Sequence, residues 1–400
     1  MSRRAERITS VADALHEARR RLPRSIMHQI ENGAGAMQTH DANVRSFEEV
    51  LFRPRHGVWT EHRDQGTTVL GHRLRTPLIA SSIGALRIAH PDAEPGVARA
   101  IGDAGGIQFV AGVTSTPIEE IVAAARGPVY FQLYYTGGGR EGLSAAIERA
   151  KRAGADGLVF CIDSVIGHTP PRALPIGERA YLPGSAGLTE AVRFLPQILT
   201  RPAWLLGFLR GRARLELPMA LYADGSQVPF ELARASAYER WLDWKDLEWI
   251  REVWNCPIIV KGVLSAEEGR RAVSAGAAAV VVSNHGGNRL DGTIPALPAL
   301  PKVVAAVGDE IDVLFDSGVR TGPDVVKAIA LGAKAVGLGR AYLYPLAAAG
   351  EAGVRRILEI FCRDIDHTLA YLGCTSLDQL GPDHLEPPAR SPTRHDGPRS

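Results

Sequence analysis

The chain is short of the features that mark several protein classes. Only four cysteines occur among 400 residues, Cys161, Cys256, Cys362 and Cys374. None stand at C-x-x-C spacing, so spacing indicates neither a disulfide framework nor a zinc site, and no metal is expected. A reducing cytoplasm is the expected location. Aromatic residues make up 6% of the chain and the formal net charge is +2, with both signs interspersed. Such a surface offers nucleic acid neither a stacking platform nor a basic stripe. No apolar run reaches the roughly 18 residues that a spanning helix needs. The segment from Met1 to Arg24 is charged and helix-forming, with no apolar signal core after its arginines. The tail from Pro387 to Ser400 is rich in Pro, Arg, Ser and Gly and is too polar to order itself.

What is present suffices for a large α/β core: 45% of residues are apolar and 22% charged. One phrase recurs, a helical pattern ending in Ala-Gly or Leu-Gly followed at once by an apolar strand. It occurs at Ala104-Gly105 before Ile107–Val110, at Ala153-Gly154 before Leu158–Ile162, at Ala275-Gly276 before Ala279–Val282, and at Leu331-Gly332 before Ala335–Leu338. These read as helix-to-strand turns with glycine at the helix end. Further strands are expected at Leu78–Ser82, Val129–Tyr134, Ile258–Lys261 and Ile311–Phe315, which completes eight. A doubly wound open sheet would use similar units. Eight strands without a dinucleotide fingerprint favour a (β/α)8 TIM barrel. Two helix starts look like capping boxes, Thr116-Pro117-Ile118-Glu119 and Ser265-Ala266-Glu267-Glu268.

The expected organisation is an N-terminal helical segment over 1–60, a barrel over 61–385 carrying an insert at about 170–250, and a disordered tail. The insert belongs to about ninety residues between Asp163 and Pro257, where a barrel usually carries a lid over its active face. Within it, Pro202 to Leu209 around Trp204, followed by Arg210, Arg212 and Arg214, reads as an amphipathic helix packed on the barrel. Dipping into a membrane interface is the alternative reading.

Polar residues collect at the strand ends: Ser81 and Ser82, Gln132 and Tyr134, Asp163, Lys261, His285, then Asp316 to Arg320. All fall where barrel strands deliver side chains to one mouth. The densest stretch is Ser283-Asn284-His285-Gly286-Gly287-Asn288-Arg289-Leu290-Asp291-Gly292, directly after the buried-looking run Ala277–Val282. It sets a histidine at a strand's carboxyl end beside glycines that let backbone approach a flat ligand, the position of a general base beside a cofactor. The last two units, Asp316-Ser317-Gly318-Val319-Arg320-Thr321-Gly322 and Gly337-Leu338-Gly339-Arg340, combine glycine amides, a helix start and two arginines, the composition of a phosphate grip.

These motifs, with Val260-Lys261-Gly262-Val263 and Phe131-Gln132-Leu133-Tyr134, resemble the FMN-dependent α-hydroxy-acid oxidases and dehydrogenases, from about Leu22 to Leu385. The resemblance implies FMN as cofactor and a small-molecule or peptide-derived substrate. It also implies a homo-oligomer, a tetramer or larger. By the same resemblance His285 matches the catalytic base, Asp163 the carboxylate that orients it, Lys261 the cation beside the flavin, and Tyr134 the phenol that meets the substrate oxygen. The cofactor-binding set it implies is Ser82, Gln132, Cys161, Lys261, Ser283, Asp316, Gly318, Arg320, Gly339 and Arg340. Tyr134, Asn288, Arg289 and His168 are the implied substrate-facing residues.

The departures from the family fall on the substrate side. Asn288 stands where the family usually has the arginine that clamps a substrate carboxylate, and Arg289 follows one place along, where a one-residue shift in a loop can aim a side chain elsewhere. Gln29 stands in place of a carboxylate-binding tyrosine. Val113 replaces a bulky aromatic, Cys161 a flavin-contacting threonine, and Ser81-Ser82-Ile83 a Pro-Thr-Ala segment. This pattern is similar to the pre-mycofactocin synthase branch, whose members oxidise an amine carbon of a peptide-derived lactam to a ketone. The expected activity is removal of two electrons from a C–H bond next to oxygen or nitrogen, with a carboxylate-free substrate favoured. Two readings stay open beside it: an ordinary 2-hydroxy acid held by Arg289 or by Arg172 of the insert, and a flavin-binding protein without turnover. Hydride or carbanion transfer, and oxygen, a quinone or a carrier protein as acceptor, also remain undecided.

Overall fold

In the computed structural model, which describes residues 4–164, 188–210, 216–236 and 241–386, eight parallel strands close into a barrel. They are β1 (Leu78–Ala80), β2 (Ile107–Ala111), β3 (Val129–Gln132), β4 (Gly157–Cys161), β5 (Ile258–Val263), β6 (Ala279–Val282), β7 (Asp312–Phe315) and β8 (Ala335–Leu338). Each pairs with its chain neighbour, and β8 closes on β1 through Leu338 opposite Ala80. The small and β-branched runs expected to be strands are buried on both faces, as parallel barrel strands must be.

Strand periodicity of two then sorts every side chain. Ile79, Phe109, Tyr130, Val159, Ile259, Val281, Leu314 and Ala335 form one cluster, plugged by Val69 and Leu74 of a hairpin (Thr67–Val69 with His72–Leu74). Their alternates, among them Val110, Phe131, Phe160, Val260 and Val282, join the larger core beneath the helices. Continuing the inward rows by two residues gives Ser81, Gln132, Cys161, Lys261, Ser283 and Asp316. The site is thus the next layer of the barrel interior. Neighbouring strands set its register, with Cys161 directly opposite Lys261.

The first and third of these strands end earlier than the sequence patterns imply. The strands end at Ala80 and Gln132, although the next amides, of Ser81 and Leu133, still donate to Leu338 and Val159 of the neighbouring strands at 2.9 and 3.0 Å. All four Ala-Gly or Leu-Gly turns carry glycine at positive φ, from 78° at Gly276 to 103° at Gly332. The Ser265 capping box forms, with the hydroxyl accepting from the Glu268 amide at 3.1 Å and the Glu268 carboxylate accepting from the Ser265 amide at 3.1 Å. The Thr116 box does not form. Pro117 is the N-cap and makes no side-chain cap bond, because the Thr116 hydroxyl is drawn away to the buried Glu94 carboxylate at 2.7 Å. A further box, unread in the sequence, starts the helix Gly322–Ala330 through Thr321 and Asp324.

N-terminal helices Val11–Arg21, Arg24–Glu31 and Gln38–Glu48 reach the carboxyl-end loops, the last of them lying against His285–Gly287. In the insert, helix Pro202–Arg210 buries Trp204, whose indole N–H donates to the Ile88 carbonyl at 2.8 Å and whose ring stacks on Phe208. Leu206 and Leu209 of the same helix remain exposed. Among the described residues no helix is long and apolar enough to cross a membrane. The tail lies outside them. Ser265→Ala removes an N-cap acceptor while leaving the site untouched. It is expected to lower stability by about 1 kcal/mol, read as a lower urea midpoint with an unchanged flavin spectrum.

Candidate active site

At the floor of the mouth, Lys261 is 2% exposed and can stay charged there only with partners. Its ammonium donates to Ser283 Oγ at 2.8 Å and pairs with Asp316 Oδ2 at 3.2 Å. Asp316 also accepts from Ser283 Oγ at 2.5 Å and from Ser81 Oγ at 3.1 Å. Burial disfavours the charged lysine, but Asp316 and its acidic neighbours outweigh it and hold the ammonium above its ordinary pKa.

His285 sits above this pair with φ 57°, a left-handed conformation unusual for a side chain with a Cβ. Its amide donates to Ser283 Oγ at 3.1 Å, which ties the turn to the ion pair below. Nδ1 faces both Asp163 oxygens, at 2.9 and 2.8 Å. Nε2 faces Tyr134 Oη at 3.5 Å and Arg289 Nη2 at 3.4 Å. A guanidinium only donates, so Nε2 is the accepting nitrogen and Nδ1 carries the proton toward Asp163. Burial pushes the imidazole pKa down to about 4, with Asp163 pulling it back and Lys261 and Arg289 adding to the fall. Asp163 is likewise penalised by burial, yet the charges of His285, Lys261 and Arg289 keep it below the usual carboxylate range. The pair is therefore a neutral imidazole held by an anionic carboxylate.

Gly262 makes room for this carboxylate. It has φ 101°, and a Cβ there would meet Asp163 Cγ at 2.6 Å. Beyond it, Gln132 donates to Tyr134 Oη at 2.6 Å and accepts from Ser82 Oγ. Burial raises the Tyr134 phenol above its ordinary pKa, so it is a neutral donor. Cys161, also raised by burial, points its thiol at Asp163 Oδ1, 3.3 Å away.

A single cleft joins Lys261 and His285 to Ser82, Asp316, Gly318, Arg320, Gly339 and Arg340. Among the described residues neither arginine forms an ion pair with a carboxylate. Arg340 donates to the carbonyls of Ile30, Asn32 and Gly286 and to Asn288 Oδ1, and Arg320 to its neighbour Val319. Burial lowers both guanidinium pKa values, Arg340 to about 10. Two buried cations beside Gly318 at φ 89°, with open space where a Gly339 Cβ would project, fit a phosphate group. The cleft toward Lys261, apolar along Ile83, Ala85 and Leu86 with the polar groups of Ser82 and Asp316 set among them, fits the flavin of FMN.

The expected substrate-facing residues are placed as follows. Arg289, one place along from the usual clamp position, is aimed at the site, its Nη2 3.4 Å from both Tyr134 Oη and His285 Nε2. Asn288 lines the cleft but turns its amide oxygen to Arg340 at 3.1 Å. Gln29 lines the same cleft, and Val113 packs against Gly84 behind it. His168 and Arg172 lie outside the described residues.

Motif reading gave no role to the clamp that holds the histidine loop. Asn43 and Asn284 exchange amide hydrogen bonds at 2.8 and 2.9 Å, and Asp291 accepts from the amides of Ala36 and Thr39 at 2.7 and 3.0 Å. These partners lie some 240 to 255 residues apart in sequence, so only the fold joins them. Replacing a buried guanidinium that faces a phosphate removes charge-assisted bonds of about 1.5–3 kcal/mol. Arg320→Ala, and more so Arg340→Ala, is therefore expected to weaken FMN retention by about 10- to 100-fold, measured by flavin fluorescence during dialysis.

Comparison with known proteins agrees with this geometry. Residues 18–387 match the family described as FMN-dependent dehydrogenase. The chain is 40% identical over 383 residues to a pre-mycofactocin synthase of Mycolicibacterium smegmatis, covering 94% of this chain and 93% of that one. It is 36% identical to an L-lactate dehydrogenase of Chromohalobacter salexigens, covering 94% and 95%. Among solved structures it resembles the monotopic membrane protein (S)-mandelate dehydrogenase, with a TM-score of 0.86 and 33% identity over 95% of this chain and 99% of that one. The chain belongs to the FMN-dependent dehydrogenase family and is an FMN oxidoreductase built on a TIM barrel.

Proposed function

We propose that the protein oxidises a C–H bond adjacent to an amine or hydroxyl group, with His285 as the base and a carboxylate-free, peptide-derived substrate. The observation that carries the chemistry is the orientation of His285. Its proton-bearing Nδ1 is fixed by Asp163 while its accepting Nε2 opens onto the space shared with Tyr134 and Arg289. Nε2 receives the proton that the substrate loses, and the adjacent Asp163 anion stabilises the imidazolium that results. Tyr134 hydrogen-bonds the substrate heteroatom. Lys261, held charged by Asp316, would stabilise negative charge on a bound flavin. Bound FMN supplies the two-electron acceptor.

Asn288 supports the carboxylate-free reading, since the side chain at the family's clamp position is committed to Arg340, and so does the likeness to pre-mycofactocin synthases. For such an amine, water completes the conversion of the oxidised C=N to a ketone with release of ammonia. A second reading, a 2-hydroxy acid, is favoured by one observation: Arg289 places a guanidinium where a carboxylate would sit beside Tyr134 and His285.

Anaerobic mixing separates the two. Bleaching of the flavin by an aminolactam but not by lactate, glycolate or mandelate is expected, and bleaching by a hydroxy acid that Arg289→Gln abolishes would instead select the second reading. His285→Asn is expected to slow flavin reduction by about 100-fold or more with FMN still bound. Unchanged reduction would remove His285 from the chemistry.

The pH dependence has a definite sign. The base works in its neutral form, so the reduction rate is full above the His285 pKa and falls about tenfold per pH unit below it, near pH 4. Arg289 adds to the lowering, and Arg289→Gln is therefore expected to move the acid limb of the rate profile to higher pH.

A further inference from the structure

We propose that Cys161, Asp163 and His285 form a binding site for a zinc-like divalent cation, and that its occupancy switches off the base. The effect on the base rests on the function proposed above; binding does not. One thiol sulfur, one carboxylate oxygen and one imidazole nitrogen lie within 4.8 Å of one another. Cys161 Sγ is 3.3 Å from Asp163 Oδ1, and His285 Nδ1 is 2.8 Å from Asp163 Oδ2.

Tetrahedral zinc bound to S, O and N at about 2.0–2.3 Å spaces its donors about 3.3–3.7 Å apart. The trio therefore needs to open by about half an ångström on its closest edge and to draw in its widest, which is at most 4.8 Å, by about an ångström. Mixed thiolate, carboxylate and imidazole donors suit zinc and cadmium over magnesium or calcium. Three protein ligands leave the fourth position to water. Cys161 carries no metal signal at sequence level because its partners lie 2 and 124 positions away.

The chemistry balances without an oxidant. The cation displaces the Cys161 thiol proton to solvent and takes the Nδ1 lone pair, so the imidazole proton moves from Nδ1 to Nε2. Nε2 then donates toward Tyr134 and cannot accept a proton from substrate. Lys261 and Arg289 oppose the incoming charge. Lys261 is already neutralised by Asp316, and the thiolate and Asp163 together supply two negative charges to the metal.

The test uses the FMN-loaded enzyme in a Cys256→Ser background, so that the exposed Cys256 thiol does not contribute. Cadmium is expected to produce the ultraviolet thiolate-to-metal band with one ion per chain. Zinc is expected to block flavin reduction reversibly, with EDTA restoring it. Adding Cys161→Ser should abolish the band and raise the half-inhibitory zinc concentration at least about tenfold, given that loss of even a ligand's supporting partner costs 10- to 100-fold in affinity. Cys161→Thr serves if the serine variant loses its fold. No band, or equal zinc inhibition with and without Cys161, overturns the site. A Cys161-dependent band at full activity supports the site and overturns the base assignment instead.

Discussion

A buried ammonium dictates the arrangement of the mouth. Removing a lysine charge from water costs several kcal/mol unless a carboxylate and hydrogen-bond acceptors replace the solvent. Lys261 on β5 finds Asp316 just beyond β7 and Ser283 just beyond β6, while Ser81 beyond β1 donates to the same carboxylate oxygen as the lysine and Ser283 to the other. Four strand ends are thereby fixed to one charge pair. The same Ser283 hydroxyl accepts the His285 amide, so the position of the base is set from below by the lysine's need for a partner. At the other end of the cleft Arg320 and Arg340 have no such internal carboxylate among the described residues. The floor is neutralised by the protein itself, whereas the arginine end fits an anion supplied from outside the chain.

Much of this was legible because a barrel converts strand order into spatial order. Once eight apolar runs are recognised, period-two alternation alone carries Gln132, Cys161, Lys261, Ser283 and Asp316 to the same inward layer. His285 was legible for a related reason: a histidine that follows a buried parallel strand and precedes two glycines is delivered to the barrel mouth on a tight turn, where backbone can approach a ligand. Strand ends were less legible, since the amides of Ser81 and Leu133 still bond to the neighbouring strands while Ser82 and Tyr134, one residue on, turn into the site.

Contacts made across the chain were not legible. Thr116 has the local pattern of a cap, yet the buried Glu94 carboxylate competes for its hydroxyl and wins because an unsatisfied buried charge costs more than an absent cap bond. Asn43 sits in an ordinary amphipathic helix, and nothing near it in sequence shows that its amide pairs with Asn284. Gly262 could be seen as part of a motif, but its need for positive φ and an empty Cβ position depends on where Asp163 lies.

Positions 288 and 289 show how one exchange can redirect a loop without undoing it. Arg340 donates to Gly286 O and Asn288 Oδ1, so it grips the same turn that carries His285 while facing the phosphate end. An arginine at 288 aimed along the path of Asn288 would set a second cation against Arg340. Asparagine instead offers an acceptor there, and the next residue takes the positive charge to the substrate side. Arg340 thus ties its end of the cleft to the turn that carries His285 through the Gly286 carbonyl and the Asn288 amide oxygen. Because Arg289 reaches toward Tyr134 and His285 instead of Arg340, the residue facing the substrate can change the preferred ligand while the cofactor grip and the base keep their geometry.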